Sequence, residues 1–382
     1  MKVYLDNAAT TPLDPEVFEA MKPFLLNDFG NPSSTHSHGR KVRAAIESSR
    51  KKIAELLNCT PGEIIFTSGG TEADNAILQS SVATYGIKHI ISSPIEHHAV
   101  EHTLDFLVKS GKAELHYVDL DSKGHVNLDH LESLLRTHPN ALVSLMHANN
   151  EIGNLLDIVR VGEICTEYGA YFHSDTVQTV GHYRHDMQKL RVHGMTAAAH
   201  KFHGPKGIGF MYIKKDRKIR PFMQGGAQER SMRGGTENVY GIIGIAKALE
   251  IAYAHMDEHT AYIKSLKSRM VQALRDAIPG IDFNGDSADP DNSLYTVLNV
   301  CLPEPDENGM LLFNLDLKGI SASGGSACSS GAAAGSHVLG HLYPGSMKGA
   351  VRFSFSKYNT KEEIDFAVSE LAALVRTEEV KR

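Results

Sequence analysis

Four separated stretches of the chain set a chemically capable side chain among small residues. The first, Thr67-Ser68-Gly69-Gly70-Thr71-Glu72-Ala73-Asp74-Asn75, follows an apolar run ending at Phe66 and opens a helix-like stretch. Small residues at a strand-to-helix turn bring backbone N–H groups and a threonine hydroxyl to an anion, with the helix dipole assisting. The stretch departs from G-x-G-x-x-G, and the chain has no G-x-x-x-x-G-K-[ST]. A phosphate belonging to neither a dinucleotide nor a nucleoside triphosphate suits it. Taken alone, it is equally a glycine turn with a threonine cap. The second stretch, Phe172-His173-Ser174-Asp175-Thr176-Val177-Gln178, puts an acid at the C-terminal end of an apolar run, the edge where open α/β sheets gather ligand groups. Asp175 is a candidate partner for a cationic ring nitrogen, or simply a helix N-cap.

The third stretch, Ala197-Ala198-Ala199-His200-Lys201-Phe202-His203-Gly204-Pro205-Lys206-Gly207, isolates Lys201 between small residues, aromatic rings and a Gly-Pro turn. Partial desolvation there favours the neutral amine, which adds to an aldehyde. An isolated lysine is ordinarily a solvated surface residue. Phosphate turn, strand-end acid with Gln178, then lysine is, however, the order in which a pyridoxal 5′-phosphate site presents its groups. The fourth stretch, Ser321 to Gly335, carries Cys328 on a Gly/Ser-rich segment. A thiol there is accessible, and its nucleophile is the thiolate, a minor species at neutral pH for a reference pKa near ~8.5. Cys165 and Cys301, by contrast, sit in apolar segments and are expected to be structural.

The elements that must position these groups follow from periodicity. Helices are expected over Pro15 to Leu25, over Gly39 to Leu57, and in one long pattern from Gly241 to Ala277. Strands are expected at Glu63–Thr67, His89–Ser92, Leu115–Val118, Ala141–Leu145 and Ala170–Ser174, with helical segments between several of them. That alternation predicts a mostly parallel sheet wrapped by helices. Pro279 to Asn292 reads as loop, and a smaller α+β unit follows.

Composition removes other classes. The 382 residues are 42% hydrophobic and 22% charged with net charge -6, an ordinary globular composition without the basic field of a nucleic-acid binder. The four cysteines, Cys59, Cys165, Cys301 and Cys328, include no C-x-x-C pair, so neither a disulfide framework nor a thiolate zinc site is expected, and the compartment is expected to be reducing. The first residues lack the apolar core of a secretory signal, and no apolar run approaches the ~20 residues of a membrane helix. A cytoplasmic protein with no membrane association is expected.

The chain resembles the NifS/IscS-type cysteine desulfurases, class V members of the fold-type I pyridoxal-phosphate enzymes. The resemblance runs nearly end to end, through Tyr4-Leu5-Asp6-Asn7-Ala8-Ala9-Thr10-Thr11-Pro12, Gly30-Asn31-Pro32-Ser33-Ser34, Phe66 to Glu72, Glu96-His97-His98-Ala99-Val100, Asn149-Asn150-Glu151-Ile152-Gly153, His200-Lys201, Arg233-Gly234-Gly235-Thr236, Ser326-Ala327-Cys328 and Arg352-Phe353-Ser354. It implies an α/β fold with a large domain at 14–252, built on a mostly parallel seven-stranded sheet. A smaller α+β domain of 1–13 and 253–382 carries the catalytic cysteine segment.

By resemblance, Lys201 holds the cofactor covalently, Asp175 pairs with its ring nitrogen, Gln178 meets its hydroxyl, and His97 stacks on the ring and shuttles protons. Gly70, Thr71 and His200 hold the phosphate, with Thr236 reaching it from the neighbouring subunit of a homodimer. Asn31, Asn150 and Arg352 receive the substrate; independently, a free amino acid brings a carboxylate that a planar guanidinium fits bidentately.

The implied reaction takes sulfur from L-cysteine onto Cys328 as a persulfide, releases L-alanine and passes the sulfur to an acceptor such as an iron–sulfur scaffold. No resident metal is implied, Cys328 serving at most as a transient cluster ligand. The Ser-Ala-Cys context is similar to the NifS/IscS-like group and not to the SufS-like group, whose cysteine follows two histidines. Selenocysteine lyase and cysteine sulfinate desulfinase are the alternatives on the same scaffold. One departure stands at Ala198, where the family commonly has a phosphate-binding serine; Thr196 is a possible substitute hydroxyl. Outside the resemblance, His255-Met256-Asp257-Glu258-His259 matches the H-x-x-E-H spacing of a zinc peptidase, a match that 21 histidines make easy to obtain by chance.

Overall fold

The apolar runs become strands whose side chains alternate between two cores. The computed structural model describes residues 1–305, 309–324, 335–346 and 348–380; Cys328 lies outside them. The strands are β1 (Val3–Tyr4), β2 (Ile64–Thr67), β3 (His89–Ser92), β4 (Glu114–Tyr117), β5 (Leu142–Ser144), β6 (Tyr171–Asp175), β7 (Gly194–Ala198), β8 (Gly209–Ile213), β9 (Asp282–Phe283), β10 (Val297–Pro305), β11 (Ile320–Ser321) and β12 (Lys348–Ser354). The helices are α1 (Pro15–Leu26), α2 (Ser37–Leu56), α3 (Gly70–Tyr85), α4 (His98–Lys109), α5 (Leu128–Thr137), α6 (Ile158–Glu167), α7 (Val239–Ala254), α8 (Met256–Ala277), α9 (Leu311–Leu317), α10 (His337–Leu342) and α11 (Lys361–Val380).

Seven strands form one sheet in the order β2-β8-β7-β6-β5-β3-β4. The pairs from β7 through β6, β5 and β3 to β4 are parallel, and β8 runs antiparallel to both β7 and β2. Along β2, Ile64 and Phe66 enter a core shared with α1, α2, α5, α6 and α7. Ile65 points to the opposite core, shared with α3 and α4. The same split separates Phe172 from Tyr171 and Val143 from Leu142. Both faces are covered, as a parallel sheet with crossover helices requires.

A second set of strands, β12-β10-β9, lies with α8, α9 and α11 around another core, into which Val3 and Leu5 also pack. The chain's first strand therefore joins its last third: Val3 pairs with Ile320, and Asp6 bridges Ser354.

Several expectations changed, among them the loop expected from Pro279 to Asn292, which contains β9. The single helix from Gly241 to Ala277 is two, α7 and α8, broken at His255 (φ -113°, ψ 16°). The break has a packing cause, because Ala248 and Leu249 serve the sheet core while Ile263, Leu266 and Met270 serve the other. The strands β7 and β8 were absent from the sequence reading. Gly194-Met195-Thr196-Ala197-Ala198 has little β-branched character, yet it is buried throughout because its small side chains fit beneath α3. Cys165 is buried as expected, whereas Cys301 on β10 is only partly so.

Candidate active site

Beyond the C-terminal end of β6 opens a cavity of about 750 Å³, its mouth included, within the size range of cofactor sites. Gly70 and Thr71 line it from α3, His97 from the start of α4, and Asn150 from the turn after β5. Asp175 and Gln178 close one side, His200 and Lys201 another, and Arg352 enters from β12. Two candidates lie elsewhere. Asn31 sits on an exposed turn with its amide oxygen accepting from the Ser33 N–H at 2.9 Å. Thr236 lines a neighbouring cavity with Thr67, Ser68 and Gly207.

The α3 N-terminus is made for an anion. Its N-cap is Gly69, whose residue type leaves the first-turn amides without a side-chain cap, so they are available to a ligand. A Cβ at Gly70 would stand 2.7 Å from Val177 Cγ2 and 3.7 Å from Ala198 Cβ, so only glycine fits beneath the cup. Arg233 donates to both carboxylate oxygens of Glu72 at 2.9 and 3.2 Å, tying the segment that carries Thr236 to the same helix end. The Thr196 hydroxyl is committed elsewhere, donating to Asp175 Oδ1 at 3.4 Å. It therefore does not replace the hydroxyl that Ala198 lacks.

Asp175 ends β6, where Oδ1 also accepts from the Val177 N–H at 2.9 Å. Burial raises its pKa, against the pull of the Val177 hydrogen bond and the Lys201 charge. Behind it stands Asp74, 1% exposed, which burial and the neighbouring Asp175 push well above the carboxylate range. His173 Nε2 lies 3.3 Å from Asp74 Oδ1, and burial lowers the His173 pKa to about 3. With the imidazole neutral the contact is no ion pair. Neither facing atom has a hydrogen-bond partner in the described structure.

His97 is the N-cap of α4, its Nδ1 accepting from the Ala99 N–H at 3.1 Å. Burial, then the Lys201 charge and neighbouring imidazoles, lower its pKa to about 4. The ring is neutral and its proton must sit on Nε2. His200 is likewise lowered to about 4 by burial and Lys201, and its Nδ1 lies 3.1 Å from Thr10 Oγ1. Lys201 Nζ donates to the carbonyls of Ala8 and Ala9 at 2.6 and 2.9 Å, and Gln178 Nε2 donates to Ala8 O at 3.1 Å. Arg352, 1% exposed, donates from Nη1 to Asn150 O at 3.0 Å and from Nη2 to Asp6 Oδ1 at 2.9 Å. Its Nε has no partner among the described residues, so the guanidinium holds donor capacity for another anion.

The lining residues given no role from sequence are Ala8, Ala9, Asp74, Met146 and Val177, together with Ala198, which was noted only as a departure. Asp74 left a readable trace, an acid four residues after Gly70 on a helix face otherwise made of Ala73, Ala76 and Ile77. The zinc-peptidase spacing has no such support. His255 Nδ1 lies 3.3 Å from Glu258 Oε2, and the pair belongs to no group of three potential metal ligands among the described residues.

The donor set fits pyridoxal 5′-phosphate. An uncapped helix end with a glycine floor suits its phosphate, a buried acid suits its cationic ring nitrogen, and a lysine stands beside both. Comparison with known proteins agrees. The family described as aminotransferase class-V matches residues 3–366. The cysteine desulfurase IscS of Dictyoglomus turgidum is 44% identical, covering 98% of this chain and 94% of its own length. The cysteine desulfurase NifS of Azotobacter vinelandii is 39% identical over 98% and 92%. A solved NifS-like protein superimposes with a TM-score of 0.90 at 37% identity, covering 99% of this chain and 100% of that one. The cavity, its donor set and this end-to-end similarity together make the chain a member of the aminotransferase class-V family, in its cysteine desulfurase branch of IscS/NifS type.

Proposed function

We propose that this cavity converts L-cysteine to L-alanine and leaves the sulfur on Cys328. The observation that carries the reading is convergence: Lys201, Asp175, the α3 N-terminus and Arg352 all line one cavity, although they lie far apart in sequence. Gly70, Thr71 and His200 would hold the phosphate of pyridoxal 5′-phosphate, Asp175 its ring nitrogen, Gln178 its hydroxyl and Lys201 its aldehyde carbon, with His97 against the ring. Bound there, the cofactor supplies an electron-deficient ring that stabilises negative charge at the substrate's Cα.

The chain's own groups do the rest. Arg352 and Asn150 receive the substrate carboxylate, Arg352 exchanging Asp6 for it. Lys201 Nζ takes the Cα proton, and His97 Nε2–H is placed to give and regain a proton. The Cys328 thiolate attacks the substrate sulfur. An S–S bond forms, the Cβ–S bond breaks, and its electron pair stays on Cβ, which collects a proton to become the methyl group of alanine. Lys201 Nζ returns a proton to Cα, and the balance closes without an outside oxidant, because carbon is reduced as sulfur is oxidised.

Ser323 and Arg352 exchange backbone hydrogen bonds at 3.1 and 2.6 Å. Cys328 follows five residues later, within a reach of roughly 17 Å of extended chain. We further take residues 14–252 as the large unit and 1–13 with 253–382 as the small one, in a cytoplasmic homodimer where Thr236 reaches the neighbour's cavity; Asn31 is kept as a substrate contact. A sulfur-acceptor protein such as an iron–sulfur scaffold would discharge the persulfide. Among the described residues no helix is long and apolar enough to cross a membrane.

The test is stoichiometric. Alanine formed from cysteine should match the sulfur released by a thiol reductant, and cysteine should outrun selenocysteine and cysteine sulfinate. Cys328→Ser should keep the cofactor's visible absorbance while forming no persulfide. Equal alanine production by the variant and the wild type would refute the role of Cys328.

A further inference from the structure

The opposite edge of the seven-stranded sheet carries a group of histidines that the desulfurase reading leaves unused. In the β3–β4 pair, His89 lies beside Glu114 and Ile91 beside His116. Side chains repeat every second residue along a strand, so His89, Glu114 and His116 project from one face. That face is the one to which Ile91 gives its side chain, in the core shared with α5. His138, the residue that ends α5, comes down onto the same spot. Its ring centroid lies 4.2 Å from that of His89 and 4.1 Å from that of His116.

The distances are those of a ligand set. His89 Nδ1 and His116 Nε2 are 3.2 Å apart, and Glu114 Oε2 lies 3.6 Å from His89 Nδ1. Two imidazole nitrogens bound to a tetrahedral zinc at ~2.0–2.1 Å stand about 3.4 Å from each other. One ligand nitrogen from each of the three rings falls within a 4.8 Å sphere of mutual separations. Three imidazole nitrogens suit a borderline divalent ion of the zinc class and not calcium or magnesium. The C-terminal end of α5 presents its carbonyls at the same place, which favours positive charge.

We propose that His89, His116 and His138 bind one divalent zinc-class ion, with solvent completing its coordination. His89 and Glu114 begin their strands, whereas Asp175 ends its own. The ion would thus sit at the end of the parallel strands away from the cavity, clamping the outermost strand β4 to β3 and α5. The competing account is that these imidazoles merely stack and keep an edge strand from pairing with other chains.

The two accounts separate in a titration of the cofactor-loaded, chelator-stripped protein with Zn²⁺ or Co²⁺ alone, in a Cys328→Ser background so that the thiol does not compete. One equivalent of Zn²⁺ should bind, and Co²⁺ should give the intense visible bands of tetrahedral coordination. His116→Gln and His138→Gln should each weaken that equivalent by at least the roughly 10–100-fold that loss of a mere ligand-orienting group costs. His337→Gln should leave it intact, although His337 belongs to a second group with His98 and Glu101. Unchanged zinc affinity in both His116→Gln and His138→Gln would overturn the proposal. So would the absence of a bound equivalent, or a weak, water-like octahedral cobalt spectrum in the protein with all three histidines present, a readout that does not depend on the variants folding.

Discussion

The two ends of the parallel strands use histidine in opposite ways. At the C-terminal end, His97 and His200 are partly buried, held neutral at about 4, and set against named partners, Ala99 N–H for one and Thr10 Oγ1 for the other. At the N-terminal end, His89, His116 and His138 are only partly buried and face chiefly one another. Burial with a fixed hydrogen bond selects one tautomer and one job. In the cluster the nitrogens face one another, His89 Nδ1 and His116 Nε2 standing 3.2 Å apart. The same side chain thus serves as the proposed proton carrier at one edge and the proposed ligand at the other, and the groups each ring faces decide which.

The largest effect should come from Lys201→Ala, which removes the covalent hold on the cofactor. Visible absorbance should be lost on gel filtration and alanine formation should fall below detection, while the zinc equivalent at the far edge stays. Loss of both properties together would show that the two edges are not independent. Next, His97→Gln keeps an amide donor but no exchangeable imidazole proton. It should lower kcat by ~10²–10⁴, the usual worth of a positioned acid–base group, and should leave cofactor content unchanged. A full-rate variant would reduce His97 to a stacking residue.

Ala198→Ser tests the phosphate cup, since the Thr196 hydroxyl is bound to Asp175. One added bond to a charged group is worth about 1.5–3 kcal/mol, or roughly a 10–100-fold lower dissociation constant. Reconstitution of apoenzyme with pyridoxal 5′-phosphate measures it, and an unchanged constant would mean that the cup lacks no donor.

The smallest effect per side chain concerns acid. His97, His185, His193, His200 and His203 are lowered to about 4, and His147 and His173 to about 3, burial being the first cause in each. Their unfolded values lie near ~6.5, so between pH ~6.5 and ~4 the unfolded chain binds more protons and stability falls as pH falls. Denaturant unfolding at stepped pH should show several protons taken up, up to about tenfold in the folding constant per proton per pH unit. A flat profile over that window would contradict the neutral assignment of these imidazoles.

Much of the cavity edge could be read before the structure. Gly70, Asp175 and Lys201 carry local signals, a turn, a strand end and a small-residue pocket, which survive as plain sequence. The helices α1 and α2 and the apolar strands were legible for the same reason. The far edge was not, because His89, Glu114 and His116 meet only through the register of β3 with β4, and His138 only where α5 ends. Asp74 was quoted within its motif without a role, since its partner Asp175 lies a hundred residues on. The break at His255 was hidden because both helices continue one apolar period while serving different cores. Asn31 and Thr236 entered only through resemblance, and neither lines this chain's cavity with Lys201.

The N-terminal segment also sets an order of events during synthesis. Ala8 and Ala9 offer the carbonyls that hold Lys201, and Asp6 holds Arg352 across 346 residues of sequence. At ~5–20 residues per second, roughly 17–70 s separate the emergence of these two partners from the ribosome. The seven-stranded sheet is complete in sequence by Ile213, so its core can form while residues 1–9 still wait for β11 and β12. The nascent chain thus carries a folded sheet with an unfinished cavity for much of its synthesis, and the substrate pocket is among the last parts of the molecule to close.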